Sequence, residues 1–281
     1  MKKLIISLGL VITSLTAETL PDTYKLSLGT YLTGNFESSV RFGKDGANLD
    51  LNLQEIFNMD SDLVSTYIDG YYRFNDTHRI ELGYKGTNST GSSTKVHSIG
   101  GDVLTSPILI SSGVNSHYKL STIKMMYTYS FYHTEKMEIG VSAGLYYAMF
   151  DVGFAANVED FDGAFFNMKL GQALPLIGTR MDYAINPKWH LLYAFDFFAL
   201  GGDLNVESGA SSITLTEFSG YMSDFTLSSE YRIYNNFGVG ASFNYALQDF
   251  SIEIDTAKTL GLDIGLNNKT LGFSLYGTLQ F

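Results

Sequence analysis

The stretch Leu266–Phe281, LNNKTLGFSLYGTLQF, decides the fold. Leu271, Phe273, Leu275, Leu279 and Phe281 fall on one side of an extended chain, and Gly272, Ser274, Tyr276, Thr278 and Gln280 on the other. Side chains of a strand alternate between faces, so this segment has one apolar face and one polar face. In a soluble sheet the apolar face turns to a core. In a membrane barrel it turns outward to lipid, and the polar face lines the interior.

The same pattern recurs upstream. Strands are predicted at Tyr24–Phe36, Leu63–Phe74, His78–Thr87, Tyr118–Tyr132 and Met137–Phe150. A sixth runs to Ile185, followed by Trp189–Ala199, Tyr221–Tyr234, Phe237–Leu247 and the terminal strand. In Phe237–Leu247, Phe237, Val239, Ala241, Phe243, Tyr245 and Leu247 oppose small or polar residues. Beyond it Phe250, Ile252 and Ile254 take the other phase, which predicts a bulge near Asp249. The mixed spacing over Leu49–Met59 predicts one short helical turn.

The connections alternate as well. Asn75-Asp76-Thr77, His133-Thr134-Glu135, Asn186-Pro187 and Asn235-Asn236 are tight turns, and Asn and Asp suit the backbone angles there. The other connections are long, including a Ser-, Thr- and Gly-rich stretch from Asn88 to His117. Short turns on one side and long loops on the other fit an antiparallel up-and-down transmembrane β-barrel. The count is ten strands, with eight or twelve as alternatives, and an even number puts both chain ends in the periplasm. The strands exceed the ~9–11 residues a crossing needs, so several project beyond the outer leaflet.

Composition agrees. Tyr and Phe number 19 and 20, Gly 28 and Pro only 4, a strand-rich balance without cysteine. Residues 1–17 read as a signal peptide: Lys2 and Lys3, an apolar run Leu4–Leu15, then Leu15-Thr16-Ala17 for cleavage. Residues 18–281 form a single barrel domain. Loss of Lys2 and Lys3 leaves 16 basic against 29 acidic residues, which argues against nucleic acid as a partner. No later run reaches the ~20 apolar residues of a membrane helix, so a bilayer is crossed only as a closed barrel.

With apolar residues outward, the inward charges can be named. The bases are Lys25, Arg73, Arg79, Lys85, Lys124, Arg180 and Arg232; the acids are Asp69, Glu81, Glu138, Asp182, Asp196, Asp224 and Glu230. Seven face seven, and unpaired charges in a low-dielectric interior are costly. The expectation is an ion-pair lattice across the periplasmic half of the lumen, carried by Asp69, Arg73, Arg79, Glu81, Glu138, Arg180, Asp182, Asp196, Glu230 and Arg232. Small barrels are filled by side chains, whereas ~16–18 strands leave a channel. The lumen is expected to be largely blocked; a small charge-lined pore is the alternative. Tyr72, Phe74, Phe131, Trp189, Tyr231 and Phe237, near strand ends, are expected to form an interfacial girdle.

The search for catalysis yields little. Outer-membrane proteases of the omptin family, also ten-stranded, use an Asp-x-His pair and other acids at the outer rim. Here the one Asp-x-His, Asp76-Thr77-His78, falls on a tight turn at the opposite end. Barrel lipases pair His with Ser on the lipid-facing rim; His97-Ser98 are adjacent and lie in a loop, and His190 reads as a lattice member. Glu159, Asp160 and Asp162 form an acidic cluster better explained as a soluble loop than as a metal site. No catalytic set, metal or cofactor is expected.

Taken together, the signal peptide, alternating strands, tight turns and terminal Phe281 resemble the superfamily of small bacterial outer-membrane barrels that includes OmpA-type and OmpW-type domains. Tyr71–Arg79 also looks like a hairpin common in uncharacterised barrels of that group. The resemblance implies the cell outer membrane, contact with its lipid and lipopolysaccharide, and a terminal strand (Phe273, Leu275, Leu279, Phe281) read by the barrel-assembly machinery. It brings no activity with it. The leading expectation is a non-enzymatic structural or surface-interacting barrel. The alternatives are a narrow channel or uptake protein for small or apolar solutes, and a lipid-modifying or proteolytic enzyme.

Overall fold

A computed structural model describes residues 23–44, 47–52, 63–93, 97–99, 108–110, 112–158, 161–207, 213–256 and 260–281. These form β1 (Tyr24–Lys44), β2 (Ala47–Asn52), β3 (Leu63–Asn75), β4 (His78–Ser93), β5 (His97–Ile99), β6 (Ile108–Ile110) and β7 (Ser112–His133). They continue with β8 (Met137–Val158), β9 (Phe161–Asn186), β10 (Trp189–Glu207), β11 (Ile213–Tyr234), β12 (Phe237–Thr256) and β13 (Leu260–Gln280). Ten of them, all but β2, β5 and β6, pair antiparallel in sequence order, and β13 returns to β1. The all-β, ten-stranded reading of the sequence therefore holds, with β2 an extra strand on the outer part of β1 and β5–β6 a separate pair.

Closure is made by the chain ends themselves. Lys25 stands opposite Gln280, and Tyr24 and Phe281 exchange two backbone hydrogen bonds of 3.0 Å each. No lipid-facing edge is left at this seam, as a bilayer requires. The tight turns form as their residues dictate. Asn75 Oδ1 accepts from the amide and the hydroxyl of Thr77, both at 3.0 Å. Asn186 Oδ1 accepts from the amides of Lys188 and Trp189, both at 2.9 Å and both just past Pro187.

The strands run much longer than the alternating pattern suggested. Twenty residues tilted by ~40° reach roughly 50 Å, against an apolar band ~25 Å tall. Above that band the outward face meets water, so the sequence no longer has to alternate even though the backbone ladder continues. That explains why β8 and β9 extend to Val158 and back from Phe161 where a loop was expected. Lower down, the apolar face points outward as read: Leu28, Leu82, Met125, Leu145, Leu227 and Leu275 are all exposed on the barrel wall. The girdle residues Tyr72, Phe74, Phe131, Trp189, Tyr231 and Phe237 are exposed near the short-turn end, with Trp189 Nε1 donating to Ser229 Oγ at 2.7 Å.

Two local expectations fail. The bulge near Asp249 is absent: β12 keeps unbroken register with β13 from Phe237 to Thr256, and its ladder with β11 is continuous around Asp249. Phe250 is instead a buried inward residue, in phase with Asn244 and Gln248. The helical turn over Leu49–Met59 is a strand in its first part, since β2 ends at Asn52; residues 53–59 lie outside the described residues, as do residues 1–17. Higher up, the β9–β10 ladder stops at Ile177–Phe197, two residues short of Pro175, whose nitrogen has no hydrogen to give.

Candidate functional site

The interior divides into two storeys. Among the described residues the eight buried charged ones, Lys25, Arg73, Arg79, Glu138, Arg180, Asp182, Asp196 and Glu230, lie no more than seven residues from the short-turn end of their strand. The tight turns put these positions there. Arg73 and Arg79 flank the first turn, and Glu138 follows the second.

Six strands contribute to one connected network. Arg73 Nη1 and Nη2 donate to the two oxygens of Glu138 at 3.2 and 2.6 Å. Arg79 Nη1 donates to Glu138 Oε1 at 3.3 Å and to Asp182 Oδ2 at 2.7 Å, while its Nε reaches Glu81 Oε1 at 2.8 Å. Arg180 Nε donates to the other oxygen of Glu81 at 2.8 Å, and Arg180 Nη1 to Asp196 Oδ1 at 2.7 Å. Lys124 Nζ ends the chain on Asp196 Oδ2 at 2.7 Å. Thr128 Oγ1 donates to Glu81 Oε1 at 2.9 Å, and the Ser130 hydroxyl to Glu138. Four cations thus alternate with four carboxylates. Gly178 clears the space, because a Cβ there would collide with Asp196 Oδ1.

A smaller cluster closes the other side. Lys25 Nζ meets Glu230 Oε1 at 2.5 Å, and Tyr276 OH donates to the same oxygen at 2.9 Å. Gln280 Nε2 reaches Glu230 Oε2 at 3.3 Å, and Arg232 Nη2 donates to Gln280 Oε1 at 2.6 Å. Of the residues named from sequence, Asp69 stands apart: it lines an interior cavity of ≈ 160 Å³ together with Lys85 and Asp224. His190 Nε2 is buried without a hydrogen-bond partner among the described residues.

The upper storey is built differently. Tyr118, Ala148, Leu174, Leu176, Phe198, Met222, Phe250 and Leu266 are buried nine or more residues from the short-turn end. Among them run uncharged hydrogen bonds: Gln248 Nε2 donates to Tyr146 OH at 2.8 Å, and Ser38 Oγ to Asn268 Oδ1 at 2.6 Å. Nine residues correspond to roughly 23 Å of height, close to the top of the apolar band. Sequence reasoning missed this apolar set. Its signal was available as parity: Phe198 has the phase of inward Asp196, and Leu174 and Leu176 that of inward Arg180. Met126 on β7 and Ala184 on β9 are apolar exceptions in the charged storey.

Candidate chemistry elsewhere is sparse. Asp76 and Thr77 sit in the first tight turn, and His78 Nδ1 lies 2.6 Å from Tyr127 OH on the outer wall. On the upper part of the barrel, His117 Nε2 is 3.2 Å from Asp151 Oδ1. Among the described residues no group of three or more His, Cys, Asp or Glu is placed to hold a metal; Glu159 and Asp160 lie outside them. The terminal-strand residues Phe273, Leu275, Leu279 and Phe281 all project outward from the wall.

Against known proteins, the sequence matches no family model and no curated protein. Among solved structures, the outer membrane protease OmpT from Escherichia coli superposes with a TM-score of 0.55 at 10% identity, over 96% of this chain and 100% of that one. The outer membrane protein OprG from Pseudomonas aeruginosa aligns at 12% identity over 95% of this chain and 99% of that one, with a TM-score of 0.43. The OmpT likeness is one of fold. A closed barrel with an apolar outer belt and aromatic girdle near its short-turn end is the architecture of the bacterial outer membrane, and this chain is an integral outer-membrane β-barrel.

Proposed function

We propose that this barrel is non-enzymatic, structural or surface-interacting, and closed to ion flow. The observation that carries the reading is the charged network from Arg73 to Lys124, whose members Arg79, Glu138 and Asp196 are only 3%, 2% and 1% exposed. A conducting lumen needs hydrated charges, whereas here each carboxylate of the network is held by at least one cation from another strand. The outer wall meets membrane lipid, with lipopolysaccharide around the outer part. The row Phe273, Leu275, Leu279 and Phe281 is the segment offered to the barrel-assembly machinery.

Single-channel recording in planar bilayers tests closure. The expected result is a flat baseline; steady nanosiemens-scale steps would favour the alternative, a narrow channel for small solutes. Turnover of peptide or phospholipid by the purified protein would overturn the non-enzymatic part.

A further inference from the structure

The two storeys leave between them a chamber of ≈ 160 Å³, and its wall carries Asp69, unpaired among the described residues, and Lys85, whose ion pair with Asp224 is loose at 3.9 Å. Asp69 on β3 lies across from Gly83 on β4, and its carboxylate extends over that glycine, where a Cβ would stand 3.2 Å from Oδ1. Among the described residues Asp69 makes no hydrogen bond or ion pair. The cations nearest in the fold are committed elsewhere, Lys25 to Glu230 and Lys124 to Asp196. Lys85 lies two residues beyond Gly83 on the same inward face. Its Nζ is 3.9 Å from Asp224 Oδ2, outside hydrogen-bond reach, and its side chain is 28% exposed. Asp224 is meanwhile held by Asn244 Nδ2 at 2.5 Å and Thr226 Oγ1 at 3.3 Å.

Register makes Asp69 and Lys85 diagonal neighbours, since Lys85 pairs with Tyr67. Such positions are roughly 7–8 Å apart at the backbone. A carboxylate and an ammonium at that spacing, not bonded to each other and facing one cavity, match a ligand carrying both charges. Tyrosines supply part of the wall beside them: Tyr67 and Tyr276 have ring centroids 5.4 Å apart, and the Tyr31 ring lies 5.1 Å from Lys85 Nζ. The volume equals the space of on the order of ten waters, enough for a ligand of amino-acid size. We propose that this chamber binds a small zwitterion, its cationic nitrogen on Asp69 and its carboxylate on Lys85. The ion-pair network forms the floor, so exchange takes place from the outer side. The site goes beyond the closed-lumen reading and does not depend on it, because conductance and binding are measured separately.

The test is calorimetric titration of the full detergent-solubilised barrel with L-alanine and with glycine betaine. Tetramethylammonium chloride and sodium acetate serve as single-charge probes at matched ionic strength. Saturable heat is expected for the zwitterions, with each single-charge probe binding about ten-fold more weakly or less. Asp69→Asn and Lys85→Met are each expected to weaken betaine binding about ten-fold or more, with folding checked by heat-modifiable migration. No saturable heat from either zwitterion overturns the proposal, as does a single-charge probe bound equally well or unchanged binding in both variants. Should a variant fail to fold, the wild-type comparison of zwitterions with single-charge probes decides the matter alone.

Discussion

On one strand, β10, the inward face carries Asp196 and then, one inward position higher, Phe198. Asp196 is pinned by Arg180 and Lys124; Phe198 is buried in the uncharged storey with Leu174, Leu176 and Met222. The strand is the same and so is the parity. What changes is the height on the wall, Asp196 standing seven residues and Phe198 nine from the short-turn end. Within the bilayer the outer face takes the apolar side chains, so the interior receives polar ones and must satisfy them by pairing. Above the bilayer that demand ends, and the interior can be packed as a soluble barrel is. The lower storey therefore gains specificity from matched charges, and the upper storey gains stability from apolar burial.

This contrast can be broken from either side. Glu81→Ala removes the carboxylate shared by Arg79 and Arg180 and should cost about 3–5 kcal/mol, as loss of one member of a buried ion pair does. Urea unfolding in detergent would show it, and the same variant is the one expected to raise bilayer conductance. Leu174→Ala, in the upper storey, should cost about 2–5 kcal/mol through its cavity, with conductance unchanged. Equal conductance changes in the two variants would dissolve the distinction between storeys. Thr128→Val sharpens the lower storey alone: it deletes one donor to Glu81 while keeping the shape, and should cost about 1 kcal/mol in the same unfolding assay.

The barrel itself was legible because lipid imposes a rule with period two, and that rule writes itself into segments such as Val239–Leu247 and Phe273–Phe281. The inward charges followed from the same parity. What could not be read was everything the rule does not reach. Above the bilayer the phase carries no outward constraint, so Phe250 looked like a slipped register when it is an inward residue of an unbroken strand. Partner choice was also hidden. Nothing in the sequence separates Asp69, which has no ion pair among the described residues, from Asp182, which sits on Arg79 at 2.7 Å; strand shear around the barrel decides which inward positions meet.

The bonds between Tyr24 and Phe281 join residues at the two extremes of the described chain. The other pairings of the ten-strand wall join successive strands, but this junction cannot form before β13 has been made. Contacts so remote in sequence are entropically expensive and slow to make. The sheet therefore stays unjoined until β13 is in place, and without β13 it would keep an open side that no bilayer can accept.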